Sequence, residues 1–203
     1  LEVRLAGGPE RFRLHSALKP GTRVSVYFID NDRFYARKGI YTTPETGKAF
    51  PDEDERTIFF NRACIAAIKA LNLHPDVVHC NDFHSGLIPA LMSLEESEDP
   101  HFALAGTVFS IHNLAYQGIF GRDFLQKALL SQSLFTPLSP FEFWGRVNYM
   151  KVGLAFADLL STVSPRYAQE IQQDGECGFG LEGVLQRRGA DLRGILNGID
   201  EQV

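Results

Sequence analysis

Gly106-Thr-Val-Phe-Ser-Ile-His-Asn-Leu-Ala-Tyr-Gln-Gly118 is the stretch from which the fold is read. Its first half, Thr107 to Ile111, is short, apolar and rich in β-branched residues, the pattern of a buried strand in a parallel sheet. His112 and Asn113 follow at once, where the strand should end, and Gly118 closes the turn. In open α/β sheets, ligands bind beyond the carboxyl ends of the strands. The two polar residues therefore sit where such a fold does its chemistry. A histidine and an asparagine can also simply cap a strand end and satisfy loop backbone groups. From this stretch alone both readings stand.

A second strand, Pro75-Asp-Val-Val-His-Cys80, runs into Asn81-Asp82-Phe83-His84-Ser85-Gly86. Two strands thus end in clusters of His, Asp and Asn, and parallel strands bring such clusters to one edge. Leu159 to Val163 and Leu192 to Leu196 read as two further strands, and Asn197-Gly198 turns out of the last. Helical patterns alternate with them. The β-α-β-α-β order implies an α/β fold, a parallel sheet with helices on both faces and right-handed crossovers.

The 203 residues suffice for one good-sized domain with a real core. A hydrophobic share of 44% and a charged share of 22% are ordinary for a soluble globular protein. A net charge of −5 gives no support to nucleic acid or an anionic membrane as partner. No run approaches the ~18 apolar residues of a membrane span, and the opening Leu-Glu-Val-Arg has neither an initiator Met nor a signal-peptide pattern. Cys64, Cys80 and Cys177 are widely spaced and form no C-x-x-C pair, which argues against a disulfide framework or a zinc site and for a reducing compartment. There is no internal repeat and no low-complexity segment.

Ahead of the sheet, residues 1–30 alternate apolar and polar around Gly7-Gly8-Pro9 and Pro20-Gly21, predicting a hairpin and then a third strand that ends at Asp30-Asn31-Asp32. Residues 31–54 read as a long irregular loop, a class that is usually functional or disordered. From Glu53 the apolar spacing becomes helical for about five turns. Residues 84–96 read as a helix, and 119–140 as a loop with one short helix near 122–130. Ser139-Pro140 is read as the cap and first turn of a buried helix from Phe141 to about Leu159, with Lys151 snorkelling to solvent. Ser164-Pro165 starts a helix to about Gln172. The glycine-rich Asp174-Gly-Glu-Cys-Gly-Phe-Gly180 precedes a helix at 181–188; its backbone could face an anion, but it carries neither a G-x-G-x-x-G pattern nor a Walker lysine.

His79-Cys-Asn-Asp-Phe-His-Ser-Gly-Leu-Ile-Pro89 and Phe109-Ser-Ile-His-Asn-Leu-Ala-Tyr-Gln-Gly118 resemble the bacterial glycogen synthases and plant starch synthases. Asn148-Tyr-Met-Lys-Val-Gly153, Ala157-Asp158 with Thr162-Val-Ser-Pro165, and Gly178-Phe-Gly-Leu-Glu-Gly183 with Gly194-Ile-Leu-Asn-Gly-Ile-Asp200 fit the same family in the same order. The resemblance covers nearly the whole chain. It implies a glycosyltransferase of glycogen or starch biosynthesis, transferring glucose from ADP-glucose to the non-reducing end of an α-1,4-glucan with retention and without a cofactor. It implies two Rossmann-like domains with the site between them. On that basis residues 1–203 correspond to the first, acceptor-side domain, incomplete at its start and without the C-terminal nucleotide-binding domain, hence inactive alone. The location implied is cytoplasmic, or plastidial in a plant.

By the same resemblance His112 and Asp82 are the catalytic pair. His112 contacts the donor sugar and its carbonyl faces the positive charge at the anomeric carbon, while Asp82 orients hydroxyls. Asn113 and Asn197 bind sugar or phosphate oxygens, His84 lies beside Asp82, and Tyr35 contacts the glucan. The chain departs from the family in having Phe83 where Trp is usual and Asn81 where His is common. It also lacks the family's opening Lys-x-Gly-Gly phosphate loop and the cations of the second domain. Two other readings remain. One is a non-catalytic sugar-binding or interaction domain. The other is a hydrolase with a metal on His79, Asp82, His84 and His112, which are acceptable ligands by type but lack a metal-site spacing.

Overall fold

The computed structural model describes residues 1–173 and 176–199. Asp174 and Gly175 of the glycine-rich stretch, Asp200 of the last motif and residues 201–203 lie outside the described residues. Along the chain come β1 (Glu2–Leu5), β2 (Gly8–Arg11), β3 (Arg13–Leu18), β4 (Ser25–Asp30), α1 (Asp32–Tyr35) and α2 (Glu53–Ala70). Then follow β5 (Val77–Asn81), a 3-10 turn at Phe83–Ser85, α3 (Ile88–Leu94), β6 (Gly106–Ile111), β7 (Ile119–Phe120) and α4 (Phe124–Lys127). The remainder is β8 (Glu142–Phe143), β9 (Arg146–Asn148), α5 (Tyr149–Phe156), β10 (Leu159–Thr162), α6 (Pro165–Glu170), α7 (Glu182–Arg187) and β11 (Leu192–Gly194).

The chain forms two compact units, residues 1–73 with 123–132, and residues 74–122 with 133–203. In the first, β1–β2 and β3–β4 are separate antiparallel hairpins rather than one hairpin and a strand. The break falls at Phe12, whose ring is buried edge-on to Phe59 of α2, between the end of β2 and the start of β3. Asn31 is buried and caps α1, its Oδ1 accepting from the Phe34 amide at 2.8 Å while its Nδ2 donates to Glu10 and to the Arg11 carbonyl. Phe34 stacks on Phe59 at 5.0 Å. The stretch read as an irregular loop therefore opens with a capped turn, and a two-pronged Arg37–Asp52 ion pair (2.8 and 3.0 Å) ties its far end.

The second unit holds the parallel sheet, in the spatial order β11-β10-β6-β5. Its registers pair Asn81 with Ser110, Ile111 with Thr162 and Thr162 with Gly194, so all four strands end at one edge. This is the α/β arrangement that the alternation of strands and helices implies. Asp158 ties the starts of β6 and β10, accepting from the amide and hydroxyl of Thr107. Arg188 donates to the carbonyls of Leu154, Ala157 and Asp158 and so satisfies the C-terminal end of α5 with a cation where the helix dipole favours one. Among the described residues no helix is long and apolar enough to cross a membrane.

Two expected helices are shorter than the periodicity suggests. Residues 84–96 split into the 3-10 turn and α3, because Pro89 in the first turn of α3 has no amide with which to continue a ladder from the preceding turn. The helix expected from Phe141 starts eight residues later. Trp144 (φ +54°) and Gly145 (φ +78°) form the two-residue turn of the β8–β9 hairpin. Asn148, not Ser139, is the cap, its side chain accepting from the Lys151 amide at 3.0 Å. Lys151 does not reach for solvent either. Its buried Nζ donates to the carbonyls of Ser139 (2.8 Å) and Glu142 and holds that turn against α5, and burial lowers its pKa.

Gly153 of α5 lies against β6, where a Cβ would stand 2.4 Å from the Phe109 ring. Phe109 is fully buried and cannot give way. Alanine would improve helix propensity by about 1 kcal/mol but overpack the core at a cost of about 1–3 kcal/mol. Gly153→Ala is expected to lower stability in urea unfolding, and Gly153→Ala with Phe109→Leu to recover part of the loss.

Candidate functional site

The site grows from the ends of β5 and β6. The strand ladder continues one step past β5, as the Asp82 amide donates to the Ser110 carbonyl at 2.9 Å. Asp82 then turns sharply, at φ +54° and ψ 178°. That is a corner of backbone space entered freely by glycine alone, at a cost of about 1–3 kcal/mol for other residues. The turn aims the carboxylate across to the next strand. Its Oδ1 accepts from the amides of His112 (2.8 Å) and Asn113 (3.4 Å).

The next three amides are also taken. Leu114 donates to the Tyr167 hydroxyl at 3.1 Å, Ala115 to Asn113 Oδ1 at 3.0 Å, and Tyr116 to the Asn113 carbonyl at 3.3 Å. Every backbone donor from 112 to 116 is used within the protein. What this backbone offers a ligand is carbonyl oxygen, with the His112 and Asn113 side chains, both exposed. Such a surface suits hydroxyl donors and developing positive charge. It does not suit phosphate, which takes free N–H groups.

Packing fixes the corner from below. Gly118 (φ +62°) lies against the Phe83 ring, where a Cβ would come within 2.3 Å, so the two loops close on each other. Gln117, buried, accepts from Asn148 Nδ2 at 2.6 Å and donates to the Phe179 carbonyl at 3.2 Å, linking the loop to the start of α5 and to the glycine-rich turn. On the same edge of the sheet, His112 Nε2 meets Asn81 Oδ1 at 2.9 Å. Beneath them His79 Nε2 bonds Ser110 Oγ at 2.6 Å, and Ser110 Oγ bonds Ser161 Oγ. Cys80 is buried, and burial pushes its thiol up to about 12.

The structure brings together Asp82, His112 and Asn113, with His84 in the adjoining 3-10 turn, its ring 3.8 Å from that of Phe83. Asn197 is exposed beyond the end of β11, at the same edge of the sheet. Tyr35 belongs to the other unit, at the end of α1, with its ring against Phe59 (5.9 Å) and under the Arg56 guanidinium. Burial raises its pKa. His79, proposed as a ligand in the hydrolase reading, is engaged with Ser110, and no group of three or more His, Cys, Asp or Glu side chains among the described residues could hold one metal ion. Reading the sequence leaves out Tyr167 and Gln117. Only the Ser164-Pro165 helix start hints at the first, since it fixes where the first turn of α6 points.

Residues 2–187 match the sequence model of the starch synthase catalytic domain. The chain is 40% identical over 194 residues to the glycogen synthase of Thermotoga maritima, covering 96% of this chain and 38% of that protein. It is 41% identical over 201 residues to that of Moorella thermoacetica, covering 98% of this chain and 39% of that protein, and 45% identical over 177 residues to glycogen synthase 2 of Geobacter sulfurreducens (87% and 36%). The catalytic domain of starch synthase IV from Arabidopsis thaliana, bound to ADP and acarbose, superposes with a TM-score of 0.84 at 26% identity, over 99% of this chain and 40% of that one. The chain thus spans about two fifths of the length of the proteins it matches.

The Asp82 carboxylate and its backbone make opposite demands on stability. Asp82→Ala keeps the unfavourable backbone and loses two charge-assisted bonds, for an expected loss of about 2–4 kcal/mol. Asp82→Gly loses the same bonds but relaxes the backbone, so it should be more stable than Asp82→Ala by about 1–3 kcal/mol. Urea unfolding of both variants checks the order; a glycine variant no more stable than the alanine variant contradicts it.

Proposed function

The chain belongs to the family of the starch synthase catalytic domain, and from that premise we propose that it forms the acceptor-side domain of a glycogen or starch synthase. The enzyme transfers glucose from ADP-glucose to the 4-hydroxyl of the non-reducing end of an α-1,4-glucan, with retention. The bond from the anomeric carbon to the diphosphate oxygen breaks, a bond to the acceptor oxygen forms, and the acceptor proton leaves with ADP. The observation that carries this reading is the corner at Asp82, His112 and Asn113, whose backbone donors are all occupied within the protein while the His112 and Asn113 residues are exposed. A corner of that kind suits a sugar whose anomeric carbon becomes positive as the diphosphate departs. The His112 carbonyl stabilises that charge. The His112 side chain and Asn113 Nδ2 hold sugar oxygens, Asp82 orients hydroxyls while it holds the corner, and His84, Asn197 and Tyr35 complete the sugar and glucan contacts.

The diphosphate must be held elsewhere, since the corner presents no free amides to it. The activity is that of the intact enzyme, and the 203 residues alone are expected to incorporate no labelled glucose from ADP-glucose into glycogen. Turnover by them at the ~1–10³ s⁻¹ of ordinary enzymes would contradict this. The cytoplasm, or the plastid in a plant, is the compartment that suits such an enzyme.

In the intact enzyme, His112→Ala is expected to lower kcat by more than about tenfold, with a smaller change in KM, because the contact strengthens in the transition state. Melting curves on the same preparations separate this from a structural effect. A kcat that falls only in step with the folded fraction would remove the His112 side chain from the mechanism.

A further inference from the structure

The Leu114 amide is the one donor of the corner whose partner comes from neither β5 nor the corner's own residues. It donates at 3.1 Å to the hydroxyl of Tyr167, 53 residues further on. Leu114 itself is fully buried, so this N–H has no recourse to water, and an unpaired buried amide costs far more than a net hydrogen bond returns. Tyr167 is in turn held in place. It is the third residue of a helix that starts at Pro165, and the Ser164 hydroxyl that caps this helix accepts from the Tyr167 amide at 2.9 Å. Ser164 follows β10 closely, and β10 is the neighbour of β6 in the sheet. The phenol therefore reaches the corner from a rigid element on the side opposite to Asp82.

We propose that Tyr167 is a positioning residue for glucosyl transfer. Its hydroxyl oxygen and the Asp82 carboxylate hold three successive amides, 112 to 114, from the two flanks of β6 and thereby fix the peptide planes on either side of Asn113. With those planes fixed, the carbonyl of His112 keeps one direction throughout the reaction, as electrostatic preorganisation requires. A phenol suits this job because its oxygen accepts while the long aromatic arm spans the gap between strands, and no aliphatic side chain offers both. Tyr167 touches no reacting atom; it acts through residues 112–114. The proposal rests on the glucosyltransferase reading above for its consequence in rate, though not for the hydrogen bond itself.

Tyr167→Phe removes only the acceptor oxygen. In the intact enzyme it is expected to lower kcat by about tenfold or more while KM for ADP-glucose stays within about twofold. Amide hydrogen exchange should accelerate at Leu114 by about tenfold, the scale of one lost hydrogen bond, while Phe109 and Ile111 in β6 keep their protection. Incorporation of 3,5-difluorotyrosine at 167 keeps ring and hydroxyl and, at an acidic pH that holds its more acidic phenol protonated, makes the oxygen a poorer acceptor, so under that condition it should give an intermediate value for both readouts. Unchanged exchange at Leu114 overturns the proposal. So does loss of protection along all of β6, which would make Tyr167 a general prop of the sheet, and so does faster exchange at Leu114 with an unaltered kcat. If the intact protein shows no turnover of ADP-glucose, the transferase reading fails. The exchange data then still decide whether Tyr167 pins the corner.

Discussion

One carboxylate oxygen holds this site together. Asp82 Oδ1 accepts from the first two amides beyond β6, and to reach them its own backbone adopts a conformation that glycine alone enters without cost. The strain and the hydrogen bonds belong to one device. The sharp turn at Asp82 is what carries the carboxylate from the end of one strand to the end of the next, and the charge-assisted bonds offset what the turn costs. The sheet beneath supplies the rigidity. Asn81 pairs with Ser110 and Ile111 with Thr162 in register, so the corner sits on three strands whose ends cannot slide independently.

The consequence is chemical. A strand end followed by a loop ordinarily exposes several N–H groups and so favours anions. Here five consecutive amides are consumed internally, two by Asp82, one by Tyr167 and two within Asn113's own turn. The polarity of the corner is thereby inverted. With its amides spent, the backbone there has only acceptor oxygens left to offer, which suits sugar hydroxyls and the positive charge of a departing glycosyl group. The proposed reaction leaves the diphosphate, with its opposite needs, to other groups. On the proposed reading, this division of labour lets an α/β sheet edge that serves nucleotide chemistry in many proteins act as the sugar end of a transfer site.

Much of the frame was legible in the sequence. The strands at 107–111, 159–163 and 192–196 announce themselves by apolar, β-branched runs that end in polar residues, and the structure has them within a residue or two. The family was legible because its motifs are contiguous. What escaped was decided by single residues against the periodicity. The apolar run from Phe141 reads as helix, yet Trp144 and Gly145 take left-handed conformations and fold it into a hairpin first. Phe12 breaks a strand by burying its ring. Lys151 reads as a surface cation because nothing local shows that two carbonyls, at 139 and 142, will meet its amine. Tyr167 was invisible for the same reason, since its partner lies 53 residues away and no local pattern records a contact at that distance.

The central claim is that the corner holds sugar, with its amides already taken, and leaves phosphate to other groups. A crystal structure of the intact enzyme with a non-transferable analogue of ADP-glucose tests it most directly. The account predicts Asp82 Oδ1 still within hydrogen-bond distance of the His112 and Asn113 amides, sugar hydroxyls on the side chains of those two residues, and the anomeric carbon facing the His112 carbonyl. Diphosphate oxygens on the amides of residues 112–116, with the Asp82 carboxylate turned away, would contradict it.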